Sequence, residues 1–194
     1  MMKEKMNVYH TGFAVIEKPD LSIGRKNADF GQGFYLSDSR EFSRRWARER
    51  AELTTYLNAY ELDLSGLAVK RFIRNEEWFD YIESNRIGRA DQLTEYDVII
   101  GPIAVDTIYD TWGIITSGLL SREQSLKLLL MGPEYYQTVI KSEKGAAALR
   151  FIRAEELRHD EIAAWRETVQ REELEYQMHF AQELEEMTGE DAPG

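Results

Sequence analysis

The sequence predicts an α+β fold, and three observations support this prediction. Short apolar stretches such as residues 96–101, Tyr-Asp-Val-Ile-Ile-Gly, are rich in β-branched residues and are typical of buried strands. Residues 154–188 contain no glycine or proline and repeat apolar residues at helical spacing, which predicts one long amphipathic helix. The predicted strands and helices follow one another without a regular repeat, which favours an α+β arrangement over a doubly wound sheet.

The order of the elements follows from apolar patterns and capping signals. We predict strands at residues 7–10, 33–37, 53–62, 67–72, 96–101, 136–140 and 149–152. We predict helices at residues 39–49, 76–85, 106–115, 121–131, 142–148 and 154–188. Ser39 and Asn75 stand at N-cap positions, and Ser121 with Gln124 has the spacing of a capping box.

Composition indicates one domain with an appendage. Of the 194 residues, 43% are apolar, which is enough for a packed core. We divide the chain into a main domain at residues 1–153, an acidic helical extension at 154–188 and a frayed tail at 189–194. The net charge is −11, and residues 154–194 hold 13 acidic but only 3 basic side chains. Such acidity disfavours non-specific binding of nucleic acid through phosphate contacts.

Several classes of protein are disfavoured by the sequence. It contains no cysteine, which excludes disulfide and thiolate chemistry and fits a reducing cytoplasm. No apolar run approaches the length of a membrane span, and the opening Met-Met-Lys-Glu-Lys lacks an apolar signal core. We therefore expect a cytoplasmic protein with no membrane partner. We also expect no metal site, because no zinc-ligand, Ser-His-Asp or phosphate-loop pattern is present.

Two local patterns carry the candidate chemistry. His10 ends the first predicted strand, and Tyr35 follows the turn Gly31-Gln32-Gly33. An imidazole can hold a ribose hydroxyl, a phenol ring can stack on nicotinamide, and glycines let the backbone approach a ligand closely. The competing interpretations are a half-buried structural histidine and a core tyrosine. Together the two patterns predict a site for a nicotinamide dinucleotide.

The same residues resemble the ADP-ribosyltransferase fold of the His-Tyr-Glu type, which diphtheria-like toxins and poly-ADP-ribose polymerases share. More closely, the chain resembles an uncharacterised bacterial family that is often encoded in toxin–antitoxin-like gene pairs. The matching segments span about residues 7–153 and are Tyr9-His10, Pro19-Asp20, Arg25-Lys26-Asn27-Ala28-Asp29-Phe30-Gly31-Gln32-Gly33-Phe34-Tyr35, Glu77-Trp78-Phe79-Asp80-Tyr81 and Tyr96-Asp97-Val98-Ile99-Ile100-Gly101-Pro102-Ile103-Ala104-Val105-Asp106. The resemblance implies a split β core with flanking helices and a long C-terminal helix.

The resemblance implies three catalytic residues. His10 would hold a ribose of NAD, Tyr35 would stack on the nicotinamide, and Gln137 stands where active transferases carry a glutamate. Because an amide has no charge to oppose a developing cation, Gln137 predicts slow turnover or mono-ADP-ribosyl transfer rather than polymer synthesis. Glu143 is the alternative source of negative charge. It can equally be a helix N-terminal residue that the helix dipole favours.

The remaining implied contacts surround NAD. Arg25 would pair with the diphosphate or remain a solvated loop arginine, and Asp29 would brace the loop by accepting backbone N–H bonds. The family's His-Gly is replaced here by His10-Thr11-Gly12, so the Thr11 backbone would clamp the nicotinamide amide. The cofactor-binding set that the resemblance implies is Thr11, Gly12, Arg25, Asp29, Phe30, Gly31, Gly33 and Phe34.

The implied activity is that of an NAD-dependent mono-ADP-ribosyltransferase, with NAD as co-substrate and an acceptor that the sequence does not identify. The alternative is a catalytically inactive module of the same fold that binds NAD, ADP-ribose or a partner protein. As a toxin, the protein would be neutralised by a small antitoxin-like partner. The apolar stripe of residues 154–188 would serve such a partner, self-association, or packing on its own domain. We expect acceptor choice to reside in the loops at residues 85–94 and 130–135.

Overall fold

The computed structural model describes residues 5–104, 120–129 and 134–189. The chain divides into two compact units, of which the first combines residues 1–103 with 135–166 and the second combines residues 104–134 with 167–194. The α+β class predicted from the sequence is confirmed, because the chain forms two β-sheets, flanking helices and a long C-terminal helix. The helix predicted at 106–115 lies outside the described residues.

Two sheets form the framework of the first unit. The first is antiparallel, in the order β1–β3–β7, and consists of β1 at Lys5–Gly12, β3 at Thr55–Asp63 and β7 at Leu149–Leu157. The second has the order β2–β6–β5–β4 and consists of β2 at Phe34–Leu36, β6 at Tyr136–Ile140, β5 at Val98–Pro102 and β4 at Val69–Arg71. In the second sheet β4 and β5 run parallel, and the other pairs are antiparallel.

The apolar core lies between these sheets. Its fully buried members from the first sheet are Val8, Tyr60 and Leu62, and its buried members from the second sheet are Phe34, Leu36, Val98, Ile100 and Ile140. An isolated backbone bridge joins the two sheets, in which Tyr9 and Ser37 exchange N–H···O bonds of 2.8 and 2.9 Å. This bridge fixes how β1 approaches β2.

Within the described residues, five α-helices accompany the sheets. They are α1 at Arg40–Arg44, α2 at Glu76–Arg86, α3 at Arg122–Leu129, α4 at Glu143–Ala147 and α5 at His159–Gly189. Ser39 and Asn75 cap α1 and α2 as the sequence predicts, each accepting a backbone N–H three residues ahead. The indole N–H of Trp78 donates to the carbonyl of Pro102 at 2.9 Å, which places α2 against the second sheet.

The second unit is helical in its described part. The capping box of α3 is confirmed, because Gln124 N–H donates to Ser121 Oγ and Ser121 N–H donates to Gln124 Oε1. Its apolar cluster joins α3 with the later turns of α5 and contains Leu120, Leu128, Tyr176, Phe180 and Met187. Across the described ranges, every helix is too short or too polar to cross a lipid bilayer.

Three predicted boundaries are each wrong by five residues. The last strand, predicted to end at Ile152, continues to Leu157, and the long helix begins at His159 rather than 154. Residues 153–157 favour helix locally, but their backbone pairs with residues 55–59 of β3, and tertiary pairing overrides such propensity. The helix predicted at 39–49 ends at Arg44, where backbone bonds from residues 45–47 to carbonyls three positions earlier tighten its last turn.

A buried amide fixes the segment that follows β1. Asn58 is fully buried on β3; its Oδ1 accepts the N–H of Ile16 at 2.9 Å and its Nδ2 donates to the carbonyl of Ala14 at 3.0 Å. The phenol of Tyr60 donates to the carbonyl of Ile16 at 2.6 Å. The chain that leaves β1 is therefore held against β3.

We predict that Asn58→Ala lowers the free energy of unfolding by about 2–4 kcal/mol, because it removes two hydrogen bonds to part-buried backbone groups and empties the volume of a fully buried side chain. The control is Asn7→Ala, an exposed asparagine on β1, for which we expect a change within about 0.5 kcal/mol. Urea unfolding followed by circular dichroism measures both. Equal stability of the two variants would contradict the assigned role of Asn58.

Candidate functional site

The two sheets separate immediately after the Tyr9–Ser37 bridge, and we call this opening the split. An antiparallel ladder continued by two residues would pair Thr11 with Tyr35 through both of their backbone groups. Instead, Nδ1 of His10 lies 2.8 Å from the carbonyl oxygen of Tyr35 and takes the place of the next ladder bond. The split is therefore bordered by the backbones of Thr11 and Tyr35, with the His10 imidazole between the strands.

The bond to Tyr35 fixes the chemical state of His10. A carbonyl oxygen can only accept, so Nδ1 carries the hydrogen and the neutral ring presents a lone pair at Nε2. Burial lowers the pKa of His10, although the bond to the carbonyl acts in the opposite direction, so the ring is neutral at physiological pH. A side-chain carbon at Gly12 would lie 3.2 Å from Nε2, so the glycine keeps space beside that atom. Nε2 is thus a hydrogen-bond acceptor placed at the split.

Thr11 presents an unpaired backbone edge. Successive residues of an antiparallel strand direct their N–H and C=O groups to opposite sides, and Tyr9 directs its groups to Ser37. Thr11 therefore directs its groups toward the split, where neither bonds another described residue. Its side chain is engaged elsewhere, since Oγ1 donates to the carbonyl of Ser43 at 2.6 Å. An N–H and a C=O on one residue complement a carboxamide, which both accepts and donates.

Tyr35 and Gln137 lie on one face of the second sheet. Tyr35 pairs with Val139, so Gln137, two residues along β6, is a diagonal neighbour at roughly 7–8 Å between Cα atoms. Gln137 is only 8% exposed, and its buried Nε2 has no hydrogen-bond partner. Because an unsatisfied buried amide costs stability, its presence points to a ligand group.

His10 approaches the split from the other face. Its ring packs on Phe34 with 4.5 Å between centroids, and Phe34 precedes Tyr35 on β2 and so faces the opposite way. His10 and Tyr35 therefore border the split from opposite faces, whereas Gln137 lies on β6, the strand next to β2, so the three predicted catalytic residues do not form one cluster of side chains.

An ion pair between a buried lysine and a partly buried aspartate fixes the loop that leads into β2. Nζ of Lys141 lies 2.8 Å from Oδ2 of Asp91 and also donates to the carbonyl of Phe30, and the Lys141 side chain is only 5% exposed. Tyr81 donates its hydroxyl to the other oxygen of Asp91 at 2.8 Å. Burial alone would raise the pKa of Asp91, but the bonds it accepts, from Lys141 first, hold that pKa below its ordinary value.

The Gly-x-Gly turn serves this loop. Gly31 has φ +70°, and a side-chain carbon there would lie 2.9 Å from Oδ2 of Asp91. A side-chain carbon at Gly33 would lie 2.5 Å from the carbonyl oxygen of Ile140. Close packing of the loop on its own fold thus accounts for both glycines, whereas the sequence suggested approach of backbone to a ligand.

Tyr35 closes the same loop. Its hydroxyl donates to the carbonyl of Gly31 at 2.7 Å and accepts the N–H of Phe30 at 3.0 Å. Burial first, and then the nearby Asp29 carboxylate, raise the pKa of the Tyr35 phenol. The phenol therefore remains protonated and is suited to stacking rather than to proton abstraction.

Three of the residues predicted to contact a cofactor have structural roles in the fold. The Phe30 side chain is fully buried against Phe72 and Tyr81, so its contact with a cofactor, which stays a prediction, would have to come from its backbone. Phe34 is buried beneath His10 and supports that ring. The Asp29 carboxylate braces its loop, but it does so through Arg86, 2.7 Å away, and not through the expected backbone N–H groups.

Arg25 and Glu143 differ in their surroundings. Arg25 is exposed in the loop before β2, and its charge acts on the Tyr35 phenol, but it forms no ion pair with any described residue. It is therefore available to an anion. Glu143 is exposed in the first turn of α4, beyond the end of β6 that lies away from Gln137. The structure places Glu143 as a helix N-terminal residue and does not bring it to Gln137.

Sequence reasoning missed the residues that hold the loop, namely Asn85, Arg86, Asp91 and Lys141. Their partners are distant in the chain, so no local motif could identify them. The one available signal was a lysine directly after the apolar strand 136–140.

We predict that Lys141→Met lowers the free energy of unfolding by about 2–4 kcal/mol, because it leaves the partly buried Asp91 carboxylate without its counter-charge. The double variant Lys141→Met with Asp91→Asn should have a higher free energy of unfolding than Lys141→Met alone. Lys26→Met, at an exposed lysine, is the control, and urea unfolding is the measurement. Additive effects of the two substitutions would contradict direct coupling between Lys141 and Asp91.

Comparison with known proteins adds the family to this geometry. Residues 6–151 match a family model described as "Protein of unknown function (DUF3990)". Searches of curated proteins and of solved structures gave no match. The matched range includes both borders of the split and the ion pair beneath its loop. The chain therefore belongs to the DUF3990 family of proteins of unknown function.

Proposed function

We propose that this protein transfers ADP-ribose from NAD to an acceptor. The observation that carries the proposal is the interrupted ladder at the split, which leaves the N–H and C=O of Thr11 and the Nε2 of His10 without partners among the described residues. The motif resemblance to His-Tyr-Glu transferases points to the same residues.

The groups left unpaired match the polar groups of NAD. The carboxamide of nicotinamide complements the N–H and C=O of Thr11. A ribose hydroxyl can donate to Nε2 of His10, and another can meet the unsatisfied amide of Gln137. The exposed guanidinium of Arg25 suits the diphosphate. Tyr35 lies on the face of Gln137 and offers its ring for stacking.

The reaction breaks the bond between ribose C1′ and the nicotinamide nitrogen, which keeps the electron pair, while an acceptor lone pair bonds C1′ and the acceptor proton passes to water. The residues of this chain orient the reacting groups. His10 accepts from a hydroxyl and stays neutral, and Tyr35 stays protonated. Gln137 supplies a dipole and no charge, so it opposes a developing cation more weakly than a carboxylate would.

The second candidate function is a binding module for NAD or ADP-ribose that performs no transfer. The uncharged Gln137 favours it, because a binding site requires hydrogen bonds but no electrostatic stabilisation of a cation. Release of nicotinamide distinguishes the two functions.

Calorimetric titration with NAD, followed by chromatography of the same samples, tests the proposal. Binding with nicotinamide release supports the transferase. Binding without release supports the module instead. No binding at millimolar NAD would overturn both.

We predict that His10→Ala weakens NAD binding about tenfold or more, because one hydrogen-bond acceptor is lost at the split. His179→Ala, at an exposed histidine of α5, is the matched control and should bind NAD as the wild type does. Calorimetry measures both variants. Unchanged affinity in His10→Ala would remove this residue from the proposed site.

The state of His10 predicts the pH dependence of binding. Because burial lowers its pKa from the ordinary 6.5, NAD affinity should be constant from about pH 8 to about pH 7 and fall only at lower pH, where Nε2 gains a proton. In that lower range the unfolded chain binds the proton more readily, so stability also falls as pH decreases. His10→Gln should show a shallower slope in both measurements.

We predict that Gln137→Met raises the free energy of unfolding by about 1–2 kcal/mol, since it removes an unsatisfied buried amide at similar volume. The same variant should bind NAD more weakly. Thermal unfolding measures the gain in stability, and calorimetry measures the loss of NAD affinity. A gain in stability together with a loss of affinity is expected when a residue serves ligand binding at the expense of the fold. A variant that is less stable and binds NAD normally would show that Gln137 serves the fold.

A further inference from the structure

A positively charged region of this acidic protein surrounds α1. Residues 40–50 contain five arginines and two glutamates, whereas the whole chain has a net charge of −11. The region also carries aromatic side chains. We call it the arginine–aromatic surface, and its members are Arg40, Arg44, Trp46, Tyr135 and Arg153, with the buried Phe42 stacked on Tyr135.

Arg40 and Arg153 line a concavity of about 200 Å³ on the outer face of the first sheet, together with Tyr9 and Leu57. Arg40 and Arg44 both pair with Glu155, and Nη2 of Arg44 lies 3.2 Å from its Oε1.

Arg153 opens onto the same concavity, so three guanidinium groups surround one carboxylate. Burial alone would raise the pKa of Glu155, but these arginines hold that pKa below its ordinary value. The Nε of Arg44 is buried without a partner. Three guanidinium groups around one carboxylate leave a net positive charge for an anion, and guanidinium forks suit phosphate oxygens.

The aromatic part begins at the other side of α1. The rings of Phe42 and Tyr135 stack with 4.2 Å between centroids, and the Arg45 guanidinium lies 5.2 Å from the Tyr135 centroid. Trp46 meets Phe42 edge-on and is 53% exposed. An exposed indole beside a stacked pair offers a surface on which nucleobases stack, whatever their sequence.

The surface adjoins the split. The hydroxyl of Thr11 donates to the carbonyl of Ser43 in α1, and Tyr135 stands two residues before Gln137. Tyr9 contributes both to the bridge at the split and to the arginine-lined concavity. A molecule bound to the surface therefore lies next to the site of the proposed transfer.

We propose that the arginine–aromatic surface binds single-stranded nucleic acid and presents it as the acceptor of ADP-ribose; the transfer step, but not the binding, rests on the proposed function. Phosphates pair with the arginines while unstacked bases meet the aromatic rings. In a duplex the base faces are stacked on one another and are not available to the protein. An acidic peptide would pair with the arginines but has no bases to stack on the aromatic rings. In the transfer, an oxygen or nitrogen of the strand bonds C1′, nicotinamide leaves with the electron pair of the broken bond, and the proton of the attacking group passes to water.

Fluorescence anisotropy tests binding without NAD, using labelled strands of about 20 nucleotides, as DNA and as RNA. The full chain should bind a single strand at low salt, more tightly than a duplex of the same length. Arg40→Ala with Arg153→Ala should weaken binding about tenfold or more and reduce the slope of log K against log salt by about 1.4, for two phosphate contacts. Trp46→Ala should weaken binding about fivefold or more with the slope unchanged.

The matched control is Arg71→Ala with Arg89→Ala, which removes the same charge at exposed positions of β4 and of the segment after α2. Its affinity should stay near that of the wild type. Equal losses in the two double variants, equally tight binding of the duplex, or equally tight binding of poly-glutamate would each overturn the proposal.

Isotopically labelled NAD then tests the acceptor role in the same samples. Label on the bound strand supports it. Nicotinamide release that leaves a bound strand unlabelled would overturn the acceptor role. A protein that binds the strand but does not bind NAD would instead overturn the proposed function and leave the nucleic-acid surface standing.

Discussion

The candidate site depends on the contacts of the Lys141 ammonium group. It neutralises Asp91 and binds the carbonyl of Phe30, and so attaches the loop before β2 to the end of β6. The loop in turn sets the start of β2, whose Tyr35 carbonyl receives the imidazole of His10. A buried charge pair contributes little net stability compared with apolar residues of the same volume, so its benefit here is the fixed position of the loop.

The ladder between β1 and β2 is interrupted where His10 meets Tyr35. Two strands that could pair further are separated where the His10 ring satisfies one carbonyl and leaves neighbouring backbone groups unsatisfied. Backbone groups are fixed by the sheet, so they face a ligand without any loss of side-chain freedom. The unsatisfied amide of Gln137 on the adjoining strand adds a second cost to the fold. Costs of this kind are typical of sites that selection maintains for binding.

The sequence predicted most of the helices and strands but fewer of the contacts between distant segments. The sequence predicted the helix starts at Ser39 and Asn75 and the buried strand near Ile99, because caps and apolar runs are local signals. The end of β7 was misjudged because its pairing with β3, about 100 residues earlier, overrides local propensity. At the site, His10 and Gln137 could be named from motifs. Lys141 and Asp91 could not, since their contact joins segments that only the folded chain brings together.

The distribution of charge gives the arginine–aromatic surface its selectivity. A polyanion is repelled by a chain of net charge −11 unless it meets a local excess of positive charge. Around Glu155 that excess comes from arginines on α1 and β7, two elements distant in sequence, so it depends on the folded state. The acidic remainder of the protein repels the phosphates of the strand. This repulsion increases specificity, because it opposes any binding mode that does not place the strand beside α1. An overall acidic composition and a confined site for nucleic acid are therefore compatible. The acidic composition increases the specificity of binding at that site.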